Sequence, residues 1–477
     1  MKKLLGTAIA AILLFPVTSV NAEVFKNLKV SGNLDIQMNS ARNVLDFDAA
    51  AQDRISGVGT RTMLHMDWDL LDDVHSKVTL RKNDTVWGTA ASGGQGAAGG
   101  SQAIGHRDTA GTATNGILGN VFIDQANFTI DKLLGHFDTT VGRQFYGEPG
   151  SLNFYWGPRD TQDQDVTSFD AVRVNAENDW MKVTAIGGMI TAVPNGTAGA
   201  DSNTKMKGIN IGWKGLPLKV NTYLWNRLFQ GTGVSGSVAG RNDNLYTYGL
   251  KLAGESDWGW FSAEFAKQSG ECRSAAAGRC GTEAAAAHAA NYTGHAFLAE
   301  LGFNADVANV GGISPWASFG LGTGQSDSLS GTQDGFQSVA SDWRPGVINR
   351  RFSGAGAGAG SDVLGGGVGA GGSTTTGLSN RVVYGIGTNF TPAAMDQLTV
   401  GVQAWDFRRQ RNDVQVAVAS GNKHIGTEVA VTANWAHSEN VSLSAGVARF
   451  FTGGFIKEQL TSDSPASFIF SDVSLRF

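Results

Sequence analysis

Proline and cysteine are scarce in this chain, at 9 and 2 of 477 residues, and no long apolar run follows residue 22. A membrane-spanning helix needs about 20 consecutive apolar residues, so residues 23–477 are expected to hold none. The mean hydropathy of −0.12 is also far too polar for a helical membrane protein. Charge imbalance is small: a net charge of −5 gives no reason to expect a nucleic-acid partner. The glycine-rich segments contain G-x-G-x-x-G patterns but lack a strand-turn-helix setting, so no nucleotide and no other cofactor is expected. No fixed-period solenoid repeat is present.

What is plentiful is glycine, at 65 residues, and tryptophan, at 12. Glycine lets strands bend and approach closely, and tryptophan suits a membrane interface. The chain opens Met1-Lys-Lys, then runs apolar from Leu4 to Val17, and Val20-Asn21-Ala22 is a small-residue cleavage site. Residues 1–22 are therefore expected to be a secretory signal peptide. In an exported chain Cys272 and Cys280, in one short segment, predict a local disulfide. That segment offers too few ligands for a metal, and none is expected.

Between residue 23 and the end, apolar residues alternate with polar ones in 18 segments, from 27–42 to 467–477. The connections alternate in length. Leu71-Asp-Asp73, Asp131–Leu134, Asp179, Leu216, Asp257, Asp306–Ala308, Ala393–Gln397 and Glu439-Asn440 are short. Segments 43–53, 88–117, 148–168, 194–204, 230–243, 271–290, 326–380, 412–423 and 455–466 are long, and the two kinds take turns. That rhythm predicts an all-β, transmembrane antiparallel barrel of about 18 strands over 23–477, with short periplasmic turns and long outer loops. The last strand, Ser467–Phe477, ends on an aromatic residue, as barrels that close in an outer membrane do. Segments 88–117 and 353–376 are of low complexity and cannot bury a core. The long 326–380 loop is either a solvent-facing outer loop or one that folds into the pore and narrows it.

Short motifs carry a family resemblance. Val141-Gly-Arg-Gln144 is followed by Phe169-Asp-Ala-Val-Arg-Val174. Near the end come Ile425-Gly-Thr-Glu428, Val441-Ser-Leu-Ser-Ala-Gly446, Arg449-Phe-Phe451 and Thr452-Gly-Gly-Phe-Ile456. These resemble segments of the alginate export porins, with Ala171 and Thr452 where that family commonly has Gly and Pro. The resemblance implies an 18-stranded outer-membrane channel, and it implies that Arg143 and Arg173 line the pore.

Alternation sorts the charges independently. Charge facing lipid near the bilayer centre costs about 2–4 kcal/mol, so charges should face the lumen. Arg61 and Asp67 oppose Leu64, Met66 and Trp68, while Lys77 and Arg81 oppose Val78 and Leu80. By the same rule Lys219, Arg227, Lys251, Glu264, Glu300, Glu428, Asp472 and Arg476 point inward. Arg143, by contrast, shares a side with Phe137 and Val141, so a bulge would be needed to re-aim it. Either these charges pair across strands and stiffen the wall, or arginines form a ring that favours anionic solutes. The expectation is a porin or diffusion channel in the outer membrane, in contact with its lipid, for small anionic or sugar-like solutes. Export or uptake of acidic saccharides falls within it. An adhesin or structural barrel is the alternative, and a lipid hydrolase a lesser one. No Ser-His pair stands out on a lipid face, so no enzyme is expected.

Overall fold

A computed structural model describes residues 26–44, 47–49, 54–84, 121–159, 166–191, 203–230, 242–272, 290–324, 332–352, 378–412, 421–460 and 463–477. Residues 1–22 and Cys280 lie outside them, as does the side chain of Cys272.

Eighteen strands form the wall. The first six are β1 (Lys26–Arg42), β2 (Ile55–Leu71), β3 (Val74–Asp84), β4 (Val121–Leu133), β5 (Phe137–Gln144) and β6 (Phe169–Glu177). Then come β7 (Met181–Thr191), β8 (Asn203–Trp213), β9 (Lys219–Gln230), β10 (Asn242–Ser256), β11 (Gly259–Cys272) and β12 (His295–Phe303). The last six are β13 (Gly311–Gly322), β14 (Arg381–Pro392), β15 (Leu398–Arg409), β16 (His424–Ala436), β17 (Val441–Thr452) and β18 (Ala466–Arg476). Each pairs antiparallel with its chain neighbours. β18 pairs back onto β1 from Asn33↔Arg476 to Arg42↔Ser467, which closes the sheet and leaves the wall no free edge.

The turns 72–73, 134–136, 179–180, 215–218, 257–258, 308–310, 393–397 and 438–440 lie at one end, with the first and last strand termini; the longer connections lie at the other. Strand ends shift from the expected ones by up to about three residues, and two of the changes have a visible cause. β4 continues to Leu133 because Lys132, Leu134 and Gly135 take left-handed φ values of 49°, 54° and 81°, which displaces the turn to 134–136. The expected strand 291–305 is broken: Ala290–Tyr292 is separate, and Thr293 turns away, its N donating to Gln333 O at 3.0 Å, while Gly294 O still accepts from Gln268 N of β11 at 2.8 Å.

The outward face is apolar and exposed, with Ile123, Val172, Leu224, Ile386, Val402, Val447 and Ile469 all more than 40 % accessible. A surface of that kind calls for lipid or a partner. Trp180, Trp213, Trp258, Trp435 and Phe477 stand exposed near the short-turn end, where indole and phenyl rings suit a membrane interface. No helix among the described residues is long and apolar enough to cross a membrane. Two short helices, α1 (Ile348–Phe352) and α2 (Gly454–Leu460), lie in connections at the long-loop end.

Candidate functional site

The barrel core is built where long connections fold inward. Phe336, Trp343, Val347 and Ile348, from residues 332–352, are buried in one cluster with Leu298 of β12, Trp405 and Phe407 of β15, Phe450 of β17 and Phe468 of β18. Residues 145–159 do the same on the other side. Phe154 and Trp156 pack on Phe169 of β6, Ile186 of β7, Met206 of β8 and Trp225 of β9, with Phe154 stacked on Trp225 at 4.4 Å. The two inward segments then join. Tyr155 N donates to Ala340 O at 2.8 Å and Ala340 N to Asn153 O at 3.0 Å. Asp342 Oδ2 accepts from Gly150 N at 2.9 Å, and Asp342 N donates back to Ser151 O. Of the two readings open for the 326–380 loop, residues 332–352 take the inward one.

Wall side chains hold these segments. Glu428 accepts from the backbone N–H groups of Val347, Ile348 and Asn349, the last two at 3.1 and 3.0 Å, which caps the start of α1. Gly346, at φ +80°, brings the backbone against that carboxylate, where a Cβ would sit 2.7 Å from Oε2. Glu264 accepts from Leu152 N at 3.3 Å and Tyr223 OH at 2.8 Å. Glu300 accepts from Trp343 Nε1 at 3.1 Å and Ser318 Oγ at 3.2 Å. Gln268 exchanges two hydrogen bonds with the backbone of Gln337. Lys251 pairs with Glu148 at 2.6 Å, and Arg227 donates to Tyr292 OH and Gln337 Oε1. Glu264, Glu300 and Glu428 all point inward, and each is used to anchor a loop.

The remaining expected residues separate by face. Arg61 is buried and pairs with Asp35 at 2.7 Å, and its other nitrogen donates to Arg159 O at 2.8 Å. Ser474 Oγ donates to the same Asp35, so the group ties β2, β1 and β18 together at the closing seam. Arg81 pairs with Asp124 at 2.7 Å and lies over the Phe122 ring. Lys77 pairs with Asp67 at 3.2 Å. Lys219 and Arg476 stand at the short-turn mouth on the inward parity. Arg143 does not point inward: its guanidinium makes two hydrogen bonds to Asp170 at 3.0 and 3.1 Å, on the face that carries Val172, while Gln144 and Thr140 beside it are turned in. Alternation along β5 is unbroken there, so nothing re-aims the side chain.

A polar cavity of about 780 Å³ opens inside the wall toward the short-turn end, lined by Asp67, Lys77, Asn127, Thr140, Gln144 and Arg173, among others. Arg173 donates to Thr140 Oγ1 at 3.3 Å and has no acidic partner among the described residues. Nearer the inward segments, Arg350 of α1 lies close enough to Arg159 for their charges to interact. Desolvation, and then that charge, pulls its guanidinium down to about 10, so it stays protonated at neutral pH. Sequence reasoning missed Asp35, Asp124, Glu148 and Arg159. The signal for the inward segments was present in the aromatic run Phe154-Tyr155-Trp156 and in Trp343, too apolar for solvated loops.

A closed, 18-stranded antiparallel barrel with loops tied into its lumen is a transmembrane β-barrel fold. No family model matches the chain, and no curated relative does. Solved structures do. The chain superposes on Pseudomonas aeruginosa OccK9 (OpdG) with a TM-score of 0.56 and 11 % identity, covering 95 % of this chain and 100 % of that one. It matches Acinetobacter baumannii OccAB1 with a TM-score of 0.53 and 9 % identity, over 95 % and 98 % of the two chains. It matches P. aeruginosa OpdK, solved with vanillate, with a TM-score of 0.51 and 9 % identity, over 95 % and 99 %. At these identities the likeness is one of fold, shared with outer-membrane porins.

Proposed function

We propose that the protein is an outer-membrane diffusion channel for small anionic or sugar-like solutes. On this reading residues 1–22 are removed on export, and the short turns face the periplasm. The observation that carries it is the division of lumenal charge. The inward glutamates Glu264, Glu300 and Glu428 are committed to anchoring loops, whereas Arg173 faces a polar cavity without a carboxylate partner among the described residues. A solute carboxylate suits a guanidinium left without its own carboxylate, because the planar fork binds both oxygens. The structural neighbour solved with vanillate, an aromatic acid, supports that solute class. Acidic saccharides, to which the alginate-export resemblance points, fall within it. No covalent chemistry is asked of the chain; solutes move down their gradient.

The test is a planar-bilayer recording in a KCl gradient. The wild-type pore is expected to prefer anions modestly. Arg173→Ala should shift the reversal potential toward cations, most strongly at low salt, where the Debye length exceeds the roughly 10 Å of a 0.1 M solution. A wild-type pore that prefers cations, or no conductance at all, overturns the reading; the latter would favour an adhesive or structural barrel.

A further inference from the structure

Two shallow grooves interrupt the outward face of the barrel, and the charge in each is placed alike. One, of about 480 Å³, crosses β6–β10. Gly187, on the outward parity beside Lys207, leaves its floor low, Val172, Ile209 and Leu224 flank it, and Lys207 stands at its long-loop side. The other, of about 630 Å³, crosses β14–β18 between Val402, Val431, Val447 and Ile469, with Arg449 as its charged residue. Arg449 lies against the Phe451 ring, 5.6 Å from its centroid.

The height of these cations is informative. Lys207 and Lys205 stand six and eight residues along β8 from Trp213, and Arg449 eight along β17 from Val441. At about 3.4 Å per residue on a strand tilted by roughly 40°, that is about 16–21 Å above the short-turn end of the strand. An apolar band on a barrel of this class is about 25 Å tall, so the cations stand near its far border, and their stems reach toward the headgroups. All three are exposed and make no ion pair among the described residues. Arg143 is different: at a comparable level it is neutralised by Asp170. Unneutralised cations at the border of an apolar groove, away from the lumen, match an anion that itself carries an apolar tail.

We propose that each groove seats an acyl chain of an anionic, phosphate-bearing membrane lipid, with the phosphate held by Lys205 and Lys207 in one and by Arg449 in the other. This rests on the outer-membrane reading above. Each groove thus joins an apolar outward floor to an exposed cation at its long-loop side, from unrelated residues, and the Phe451 ring braces the Arg449 guanidinium.

The test compares lipid retention by native mass spectrometry of full-length protein extracted from vesicles of phosphatidylcholine doped with phosphatidylglycerol. Wild type should retain phosphatidylglycerol over phosphatidylcholine. The triple variant K205Q/K207Q/R449Q should lose that preference, by about fivefold per cation, the order expected for one Lys or Arg at an anionic lipid surface. The charge-keeping variant K205R/K207R/R449K should retain it. Inorganic phosphate should not displace the lipid, because it has no chain to occupy the groove. Equal retention by wild type and the triple variant, or displacement by phosphate alone, overturns the proposal. Single-channel conductance in pure phosphatidylcholine separates the two levels: a conducting wild type without lipid preference sinks only the lipid sites, while a wild type that never inserts sinks the channel reading and this inference with it.

Discussion

The interior of the barrel is divided, and its two halves are built on opposite principles. Along β11–β18 the inward face carries a large apolar cluster, with Ala266, Ala296, Leu298, Val383, Phe407, Phe450 and Phe468 buried together with residues of 332–352 and α2, and its glutamates Glu264, Glu300 and Glu428 are taken up in anchoring loops. Along β1–β6 it is charged and hydrogen-bonded: Asp35 with Arg61, Asp67 with Lys77, Asp124 with Arg81, and Arg173 with Thr140. The first half behaves like the core of a soluble domain, where burial of apolar area stabilises the packing by roughly 25 cal/mol per Å². The second half encloses the polar cavity. Residues 332–352 fill one side of the lumen and join 145–159, and the ionic side keeps the polar cavity. A barrel of 16–18 strands otherwise leaves an aqueous channel.

The largest effect expected from breaking this division comes from Glu428→Ala. Three backbone N–H groups at the start of α1 would lose one shared acceptor in a buried setting. At about 1–3 kcal/mol for each of three unsatisfied donors, the anchorage of 332–352 weakens by roughly 3–9 kcal/mol. The loop should leave the wall, and the single-channel conductance step should rise and become noisy while the barrel stays inserted. Glu428→Gln, which keeps an acceptor oxygen, should fall between. An unchanged step in Glu428→Ala would mean that 332–352 does not set the width of the path.

On the ionic side, Asp35→Asn should destabilise the closing seam without altering the filled half. Arg61 and Asp35 are both buried, with side-chain exposures of 5 % and 3 %. Removing one charge from such a pair costs about 3–5 kcal/mol, because the other stays buried without its partner. Heat-modifiability on a gel should show unfolding at a lower temperature, with conductance at room temperature kept. If the melting temperature is unmoved, the seam is held by the β1–β18 ladder alone.

The wall was legible in the sequence because its rule is local. Alternation of period two places Leu64, Met66 and Trp68 on one face and Arg61 and Asp67 on the other, without any knowledge of the partner strand. The inward direction of Glu264, Glu300 and Glu428 follows from the same rule. What these glutamates do there was not legible. Glu428 is 79 to 81 residues from the N–H groups that it caps, and no local pattern encodes a meeting at that separation. Residues 332–352 are aperiodic, and their inward course is decided by where Phe336 and Trp343 find apolar wall. The two helices escaped notice for a related reason: at five and seven residues they are too short to show a 3.6-residue period.

The smallest effect expected is the most pointed test of which face is which. Arg143 and Arg173 are both implied as pore-lining by the family resemblance, yet alternation puts Arg143 with Val141, and its guanidinium pairs with Asp170 outside the barrel. That pair is well exposed, at 44 % and 60 % of the two side chains, and such pairs contribute about 0.2–1 kcal/mol. Arg143→Ala should therefore lower stability by less than about 1 kcal/mol and leave the reversal potential in a KCl gradient where the wild type has it. Arg173→Ala, measured beside it, should move that potential. The charge change is identical in the two variants, so any difference reports only on which side of a wall one residue thick the charge stood. A shift in Arg143→Ala as large as in Arg173→Ala would return Arg143 to the lumen and with it the simpler picture of an arginine ring.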